Sequence, residues 1–459
     1  MASLAISERD YEPLFSHLIT ADRKEAAAIL ICGRTGIGRD RLCVRKTILI
    51  PHDACLVRTS DRISWPGEHL EQAIDHADTI DGSIVLIHSH PSGYFEFSSA
   101  DNASDAITIP SLMHGVVNAD ARHGSAIMVP DGRIKLRLYT ADMISELAEK
   151  IYSIGHNIRD LTKPTKVKPV AFTAAMTRDL RRMVVCVVGV SGTGSIVAEI
   201  LARLGVGTLI LIDFDRVEEK NLNRIIYATP EDIGKYKTHV LRDAIRRCSP
   251  STKVVTLETS IAHHDTLVAV SGSDTIFSCV DSFEGRYYCD LASQTFICPL
   301  IDIGVTVPTR EDAPFQRAIL DVCGRIDYVY PGGSTLWDRG QITAAALSAE
   351  YKRRVDPVAY QREIEEGYIS GLPEEAPTVI SLNMRASSAG VNEWLARLYE
   401  YRHDSNSVAS RCFFSLAARD EEYESEPAVS GEVIDTYGQG LKSPLLGLPD
   451  LQPAKEQAA

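Results

Sequence analysis

The 459 residues contain no apolar run long enough to cross a bilayer. A spanning helix needs roughly 18 or more such residues, and the longest runs here, such as MVVCVVGV, are strand-sized. A basic surplus is also missing, because 48 Lys and Arg stand against 62 Asp and Glu, for a net charge of −14. Binding a phosphate backbone needs a basic footprint, and this balance argues against nucleic acid as the main partner. The first residues, MASLAISERDYEP, lack the basic start and apolar core of a secretory signal. Ten cysteines are scattered without a CxxC pair or a regular framework, which fits a reducing compartment and predicts a cytoplasmic location. There is no internal repeat. What remains is ordinary soluble composition in a chain too long for one core.

Three patterns divide it. Residues 1–140 alternate short apolar runs (AAAILICG, SIVLIHSHP, HGSAIMVPDGRIKLRLY) with turn-rich and helical stretches, an α+β reading. Residues 141–175 read as a helix, ADMISELAEKIYSI, and then a linker rich in lysine and proline. Within 176–418 the pattern becomes MVVCVVGV, SIVAEILARLGV and GTLILIDFD, a βαβ unit with a glycine turn that opens a doubly wound, mostly parallel sheet. The fold class is therefore α/β, an α+β domain followed by a Rossmann-like one. Residues 419–459, acidic and then Pro/Gly-rich, read as a disordered tail.

Chemistry concentrates first in the run from His88 to Asp101, HSHPSGYFEFSSAD. SIVLIHSH reads as a buried strand, and side chains two apart on a strand share a face, so His88 and His90 can serve one metal. Asp101, just inside a helix beginning near Ser98, supplies a third ligand and leaves a tetrahedral position open, as a catalytic zinc requires. Such a zinc lowers the pKa of a water to ~7. Glu25, at the edge of an early strand, is the candidate that takes that proton and returns it to the leaving amine. Ser98 is placed to hydrogen-bond an oxyanion. Ser98-x-x-Asp101 also fits a capping box that merely satisfies backbone donors, and the two roles are compatible.

HxHP followed by SxxD resembles the JAMM motif of Mov34/MPN-type metallopeptidases over roughly residues 1–140. That resemblance implies cleavage of a peptide or isopeptide bond after the C-terminus of a ubiquitin-like protein. The spacing alone would suit many amide hydrolyses.

The second concentration is the glycine turn Gly189-Val-Ser-Gly192-Thr-Gly194-Ser195 between a strand and a helix. Small residues there let phosphates approach a helix N-terminus, where free N–H groups favour anions. The order is GxxGxG, with Ser191 where the dinucleotide fingerprint has its second glycine. Asp213 ends the next strand and is placed for ribose hydroxyls. A nicotinamide dehydrogenase would explain these residues but not Asn221, Arg224, Lys237 and Asp281, which suit a triphosphate with magnesium. Arg224 and Lys237 would neutralise phosphates and Asp281 would hold the metal.

GVSGTGS, LIDFDRVEEKNLNR, IGKYK, CVDSFEGR, PLIDIGV and APTVISLNMRASSAGVNEWL, in this order, resemble the ThiF/MoeB/HesA superfamily of activating enzymes from about Met183 to Tyr399. The resemblance implies ATP and magnesium, with Asp213 on ribose, Asn221, Arg224 and Lys237 on phosphates, and Asp281 on magnesium. It further implies adenylation of a C-terminal carboxylate and a homodimer. Many relatives hold a structural zinc on two CxxC pairs, but here Ser334 and Trp337 stand at the first pair, which predicts no zinc in this domain. The thioester nucleophile of relatives has one cysteine candidate in the corresponding region, Cys323, whose apolar flanks suggest a strand. Arg178, Arg181 and Arg182 are candidates for the arginine that relatives supply from before the first strand.

Together the two resemblances predict a bifunctional enzyme acting on the C-terminal glycine of a ubiquitin-like protein, with a conjugating-enzyme-like protein as a further partner. The alternative is maturation and activation of a sulfur carrier for cofactor or metabolite biosynthesis. A protein-linked thioester lost in Cys323→Ala would favour conjugation. A third reading is a binding scaffold with inactive sites, against which pyrophosphate exchange is the test.

Overall fold

The computed structural model describes residues 2–35, 41–118, 120–164, 170–313, 316–365, 379–427 and 433–451. The chain forms two compact units, one of Met1–Lys168, Gln294–Cys298 and Glu432–Ala459, the other of Pro169–Ser293 and Pro299–Gly431. No helix among the described residues is long and apolar enough to cross a membrane.

The first unit runs β1 (Ala2–Ser7), α1 (Glu8–Leu18), β2 (Ala27–Thr35), β3 (Arg41–Leu49), β4 (Val57–Arg58), β5 (Ile63–Ser64), α2 (Glu68–Asp78), β6 (Ser83–Ser89), α3 (Ser99–Gly115), β7 (Gly124–Met128), β8 (Ile134–Tyr139), β9 (Ser145–Ile154) and β10 (Ile158–Asp160). The main sheet is ordered β1-β3-β2-β6-β7-β8-β9-β10, and β9 pairs back onto β1, so the hydrogen-bonded circuit closes. Both faces of β2 are covered. Ala28, Leu30 and Cys32 pack into one core with Val85 and Ile87, while Ala27, Ile29 and Ile31 pack into the other with Ile84, Leu86 and Ile109 of α3. This is why AAILIC and SIVLIH are continuous apolar runs rather than alternating ones.

Two elements differ from the sequence expectation. ADMISELAEKIYSI is not a helix, because β9 lies parallel to β1 from Ala148 to Ile154 and antiparallel to β8 from Ser145 to Leu147. The residues expected as a tail from Arg419 are also structured. Asp420–Glu424 forms β20, and residues 433–451 join the first unit with Tyr437, Leu445, Leu446 and Leu451 buried. Residues 165–169 of the expected linker and 452–459 of the expected tail lie outside the described residues.

The second unit runs α4 (Ala174–Leu180), β11 (Val184–Val188), α5 (Gly192–Leu204), β12 (Thr208–Ile212), α6 (Lys237–Cys248), β13 (Lys253–Leu257), α7 (His264–Val270), β14 (Thr275–Ser278), α8 (Phe283–Thr295), β15 (Leu300–Thr306), β16 (Thr309–Ala313), β17 (Gln316–Ile319), β18 (Cys323–Val329), α9 (Ala344–Val355), α10 (Pro357–Glu365), α11 (Ile380–Tyr399), β19 (Arg411–Ser415) and the β20 already given. Its sheet is ordered β13-β12-β11-β14-β15-β18-β19-β20, parallel through β15 and antiparallel after it. Chain order reverses between β11 and β14, and open α/β sheets bind ligands at the carboxyl ends beside such a switch point. Gly189, Asp213 and Cys279 each follow directly on one of these strand ends.

Candidate functional site

The first site is assembled from β6, the chain before β2, and the start of α3. His88 lies in β6 and pairs with Ala27 of β2. The antiparallel register continues, with Ser89 donating its N–H to Ala26 O at 2.9 Å, which sets Glu25 beside His90. His90 is buried just past the strand, its N–H bonded to Met128 O at 2.8 Å. His88 Nε2 and His90 Nε2 stand 3.1 Å apart, and Asp101 brings Oδ1 to 3.1 Å from the first and Oδ2 to 3.4 Å from the second. The Glu25 carboxylate lies within 4.8 Å of both imidazole donors. Two carboxylates thus flank one pair of imidazoles.

The donor chemistry fits zinc. Tyr94 O can only accept a hydrogen bond, so His90 Nδ1, 2.8 Å away, carries a proton and turns the lone pair of Nε2 toward the cluster. Burial opposes the charged form of His90, but the hydrogen bonds to Asp101 and Tyr94 outweigh it and raise its pKa. Burial works against the Asp101 carboxylate as well, and the two imidazoles override it to hold the group well below the usual range. Glu25 is raised by its burial, a shift that His88 and His90 partly offset. A carboxylate poised above its ordinary range suits a group that must both accept and release a proton. Ser98 and Asp101 do form a capping box, with Asp101 N–H to Ser98 Oγ at 3.1 Å and Ser98 N–H to Asp101 Oδ2 at 2.6 Å. The Ser98 hydroxyl accepts there and keeps its proton to donate.

The second site gathers at the ends of β11, β12 and β14. Gly189 has φ +82°, and a Cβ on it would stand 2.8 Å from Cys279 O. A Cβ at Gly194 would meet Gly189 O, so that glycine is demanded by the protein's own packing, while one at Gly192 would meet the end of the Asn383 side chain. Asp213 is buried, its Oδ2 accepting Val190 N–H and its Oδ1 accepting Asp215 N–H, both at 2.8 Å. Burial raises its pKa despite nearby Lys237. Lys237 begins α6, is buried, and bonds Asp215 Oδ2 at 2.7 Å. Arg224 passes its side chain beside Gly192 and donates to Lys220 O at 2.8 Å. Asn221 is buried with Oδ1 on Glu218 N–H, at 3.0 Å, so part of its amide is structural. Asp281 is exposed in the loop after β14.

Some sequence-derived residues are not brought together with these. Arg178 lies in α4 and Arg181 and Arg182 just after it, at the amino end of β11, opposite the glycine turn. Cys323 is buried at the start of β18 with its thiol 3.7 Å from Thr306 O, and burial raises its pKa, so it is a poor nucleophile as placed. Where a first CxxC pair was considered, Ser334 donates to Glu426 Oε1 at 2.6 Å, and Arg339 joins Ser334, Glu426 and Asp327. Residues 366–376 of the stretch considered for the nucleophile lie outside the described residues. Sequence reasoning missed Asn383, which meets the glycine turn from α11. It lies in VISLNMRASSAG, where nothing local marks that amide among the other polar side chains.

Comparisons with known proteins follow the same division. Residues 8–136 match the prokaryotic homologs of the JAB domain, and residues 166–309 match the ThiF family. Ubiquitin-like modifier-activating enzyme 5 of Caenorhabditis elegans is 35% identical over 164 residues, covering 33% of this chain and 36% of the relative. The enzyme of the same name from Drosophila willistoni is 33% identical over 165 residues, covering 33% and 37%. The chain thus spans about a third of the length of these curated relatives. A crystal structure of E. coli MccB with ATP aligns at TM-score 0.42 and 17% identity, covering 56% of this chain and 67% of that one, a likeness too low to add to the assignment. On the sequence matches, the chain carries a JAB-type domain followed by a ThiF-family domain in one polypeptide.

Proposed function

We propose that the protein activates the C-terminal carboxylate of a ubiquitin-like protein with ATP in its second unit, and cleaves peptide or isopeptide bonds after that C-terminus in its first. The reading is carried by the convergence of His88, His90, Asp101 and Glu25 in the same chain as the Asp213–Lys237 group beside the glycine turn.

In the first unit, His88, His90 and Asp101 would hold zinc. Zinc supplies Lewis acidity and makes a hydrolytic water acidic enough to ionise near pH 7. Glu25 takes the proton of the attacking water and hands it to the leaving nitrogen, and Ser98 donates to the oxyanion. In the second unit Asp213 accepts from ribose. Arg224, Lys237 and the amide of Asn221 neutralise the phosphates as the carboxylate attacks the α-phosphorus and pyrophosphate leaves. Asp281 would hold magnesium.

The test is pyrophosphate exchange with candidate small β-grasp proteins ending in glycine, run beside cleavage of C-terminally extended forms of the same proteins. Exchange and cleavage with one shared protein support the reading. Absence of exchange with every candidate would leave a scaffold, and a melting shift with NAD but none with ATP–magnesium would leave a dehydrogenase.

A second reading, transfer of the activated acyl group to a sulfur donor with AMP leaving, is favoured by one observation, the buried and poorly acidic thiol of Cys323. A chain that adenylates and forms no protein-linked thioester would support it. The homodimer expected from relatives is checked by sedimentation.

A further inference from the structure

Arg137 is buried on β8 with its guanidinium directed at the start of α3. The strand alternates, with Ile134, Leu136 and Leu138 entering one core while Lys135, Arg137 and Tyr139 point the other way. Nη1 of Arg137 donates to Asn102 Oδ1 at 2.6 Å. Nε donates to Asp105 Oδ2 at 3.0 Å and to Ser125 Oγ at 3.1 Å, and Nη2 lies 2.8 Å from the same Asp105 oxygen. The guanidinium carbon also sits 3.8 Å from the centroid of the Phe97 ring, within cation–π range. Tyr139 adds a hydrogen bond to Asp105 Oδ2 at 2.8 Å.

The order of these partners along the chain is the telling feature. Phe97 precedes the Ser98 cap, Asn102 follows Asp101, and Asp105 lies one helical turn beyond it. One guanidinium therefore holds side chains on both sides of the residue whose carboxylate reaches His88 and His90. The loop before the cap is held by the same strand and the residue preceding it, with Arg133 and Lys135 over the Phe95 ring and Lys135 Nζ on Phe95 O at 3.2 Å. A guanidinium suits this position because its planar fork can serve an amide oxygen, a carboxylate and a ring face together, which an ammonium cannot.

We infer that Arg137 is a positioning residue for the metal centre, fixing Asp101 and the Ser98 cap relative to His88 and His90 without touching metal or substrate. The inference rests on the zinc reading above. Partners hydrogen-bonded directly to a metal ligand typically set metal affinity by about 10–100-fold, which bounds the effect of a residue that acts through the ligand's neighbours.

The experiment uses the full chain, stripped of metal and titrated with zinc against a chromophoric chelator, well below the melting temperature of each variant. Arg137→Met is expected to lose roughly 10-fold in zinc affinity, the low end of the range for direct ligand partners, and Arg137→Lys, which keeps the charge without the fork, is expected not to restore it. Asn102→Ala removes one contact and loses less. Leu138→Ala, on the opposite face of β8, lowers the melting temperature and leaves zinc affinity unchanged. Should Arg137→Met fail to fold, Arg137→Lys and Asn102→Ala carry the comparison. Wild-type affinity in the Arg137 variants, or an equal loss in Leu138→Ala, overturns the inference while the zinc reading stands. A wild-type chain that binds no zinc overturns both.

Discussion

The carboxylate of Asp213 accepts the backbone N–H of Val190 at 2.8 Å, tying the end of β12 to the glycine turn that follows β11. Its other oxygen accepts Asp215 N–H, so the residue expected at the ribose also shapes the turn beside it. A carboxylate oxygen has two lone pairs, and the structural bonds leave room for ribose hydroxyls. Asp213→Ala therefore removes a ligand and leaves two N–H groups without their acceptor, at a cost of roughly 1–3 kcal/mol for each that stays buried. The expected outcome is a lower melting temperature together with a higher KM for ATP in pyrophosphate exchange. A raised KM with an unchanged melting temperature would mean that the two backbone bonds contribute nothing.

Lys237 and Asp215 form an ion pair at this turn. The lysine is buried, so its charge is held for a specific partner rather than solvated. Lys237→Met should lower kcat for exchange by roughly 10²–10³-fold, the scale of losing one group that stabilises charge in a transition state. ATP affinity, read by equilibrium binding, should change much less. Equal losses in binding and in kcat would assign Lys237 to ground-state binding alone.

At the first site, Glu25→Gln separates base from ligand. If Glu25 only handles protons, the variant binds zinc like the wild type and loses cleavage by roughly 10²–10⁴-fold, the usual weight of general acid–base catalysis. His88→Ala should lose the zinc itself. Metal content and cleavage measured on both variants distinguish the roles, and a Glu25→Gln chain that loses zinc would make Glu25 a ligand.

What could be read from the sequence was what repeats locally. His88 and His90 were legible because strand periodicity fixes their common side, and Ser98 with Asp101 because a cap is a short-range device. β9 was misread for a definite reason. Leu147, Ile151 and Ile154 in SELAEKIYSI have helical spacing, yet parallel pairing with β1 outweighs that local pattern. The acidic run DEEYE was misread as tail because its compensation is distant, with Arg385 of α11 on Glu421 at 3.0 Å and Arg411 of β19 on Glu424 at 3.2 Å. Arg137 was invisible for a related reason, since an alternating R-I-K-L-R reads as a solvated strand face until α3 is laid over it.

His123 gives the first unit an acid limit. The side chain is buried, with Nδ1 accepting Ile84 N–H at 3.1 Å, and burial pushes its pKa down to about 4, with Arg34 adding to the shift. The folded imidazole stays neutral while the unfolded one takes a proton near pH 6.5. Between those values the unfolded chain binds more protons, so stability falls as pH drops from 6.5 toward 4, by at most about 3 kcal/mol. His123→Asn keeps an oxygen to accept the Ile84 N–H and has nothing to titrate. Thermal unfolding from pH 8 to pH 4 should show the two curves diverging below pH 6.5, with the wild type falling faster. Parallel curves would mean that His123 is protonated within the fold.

Residues 433–451 should behave as part of the first unit's core rather than as an appendage. Tyr437 donates to Asp10 Oδ2 at 2.6 Å, Arg45 donates to the carbonyls of Asp435 and Tyr437 at 2.9 and 2.7 Å, and Leu441 N–H bonds Arg34 O at 2.9 Å. A Cβ on Gly33 would collide with Gly438 O, so β2 and this segment meet backbone to backbone. Leu445, Leu446 and Leu451 are buried, and burying each such side chain is worth roughly 1.5–3 kcal/mol. A chain ended after residue 427 should therefore lose stability in the first unit, read as earlier unfolding of that unit and as backbone amide exchange rising in β2 and β3. Leu445→Ala alone should cost roughly 2–5 kcal/mol, as truncations in close-packed cores do. Tyr437→Phe tests the polar anchor separately and should cost roughly 1.5–3 kcal/mol, the net worth of a hydrogen bond to a charged group, with some recovery at low pH as the Asp10 carboxyl gains its own proton. Amide exchange in β2 and β3 that is the same with and without the segment would show it to lie on the surface of the unit and contribute nothing to its core.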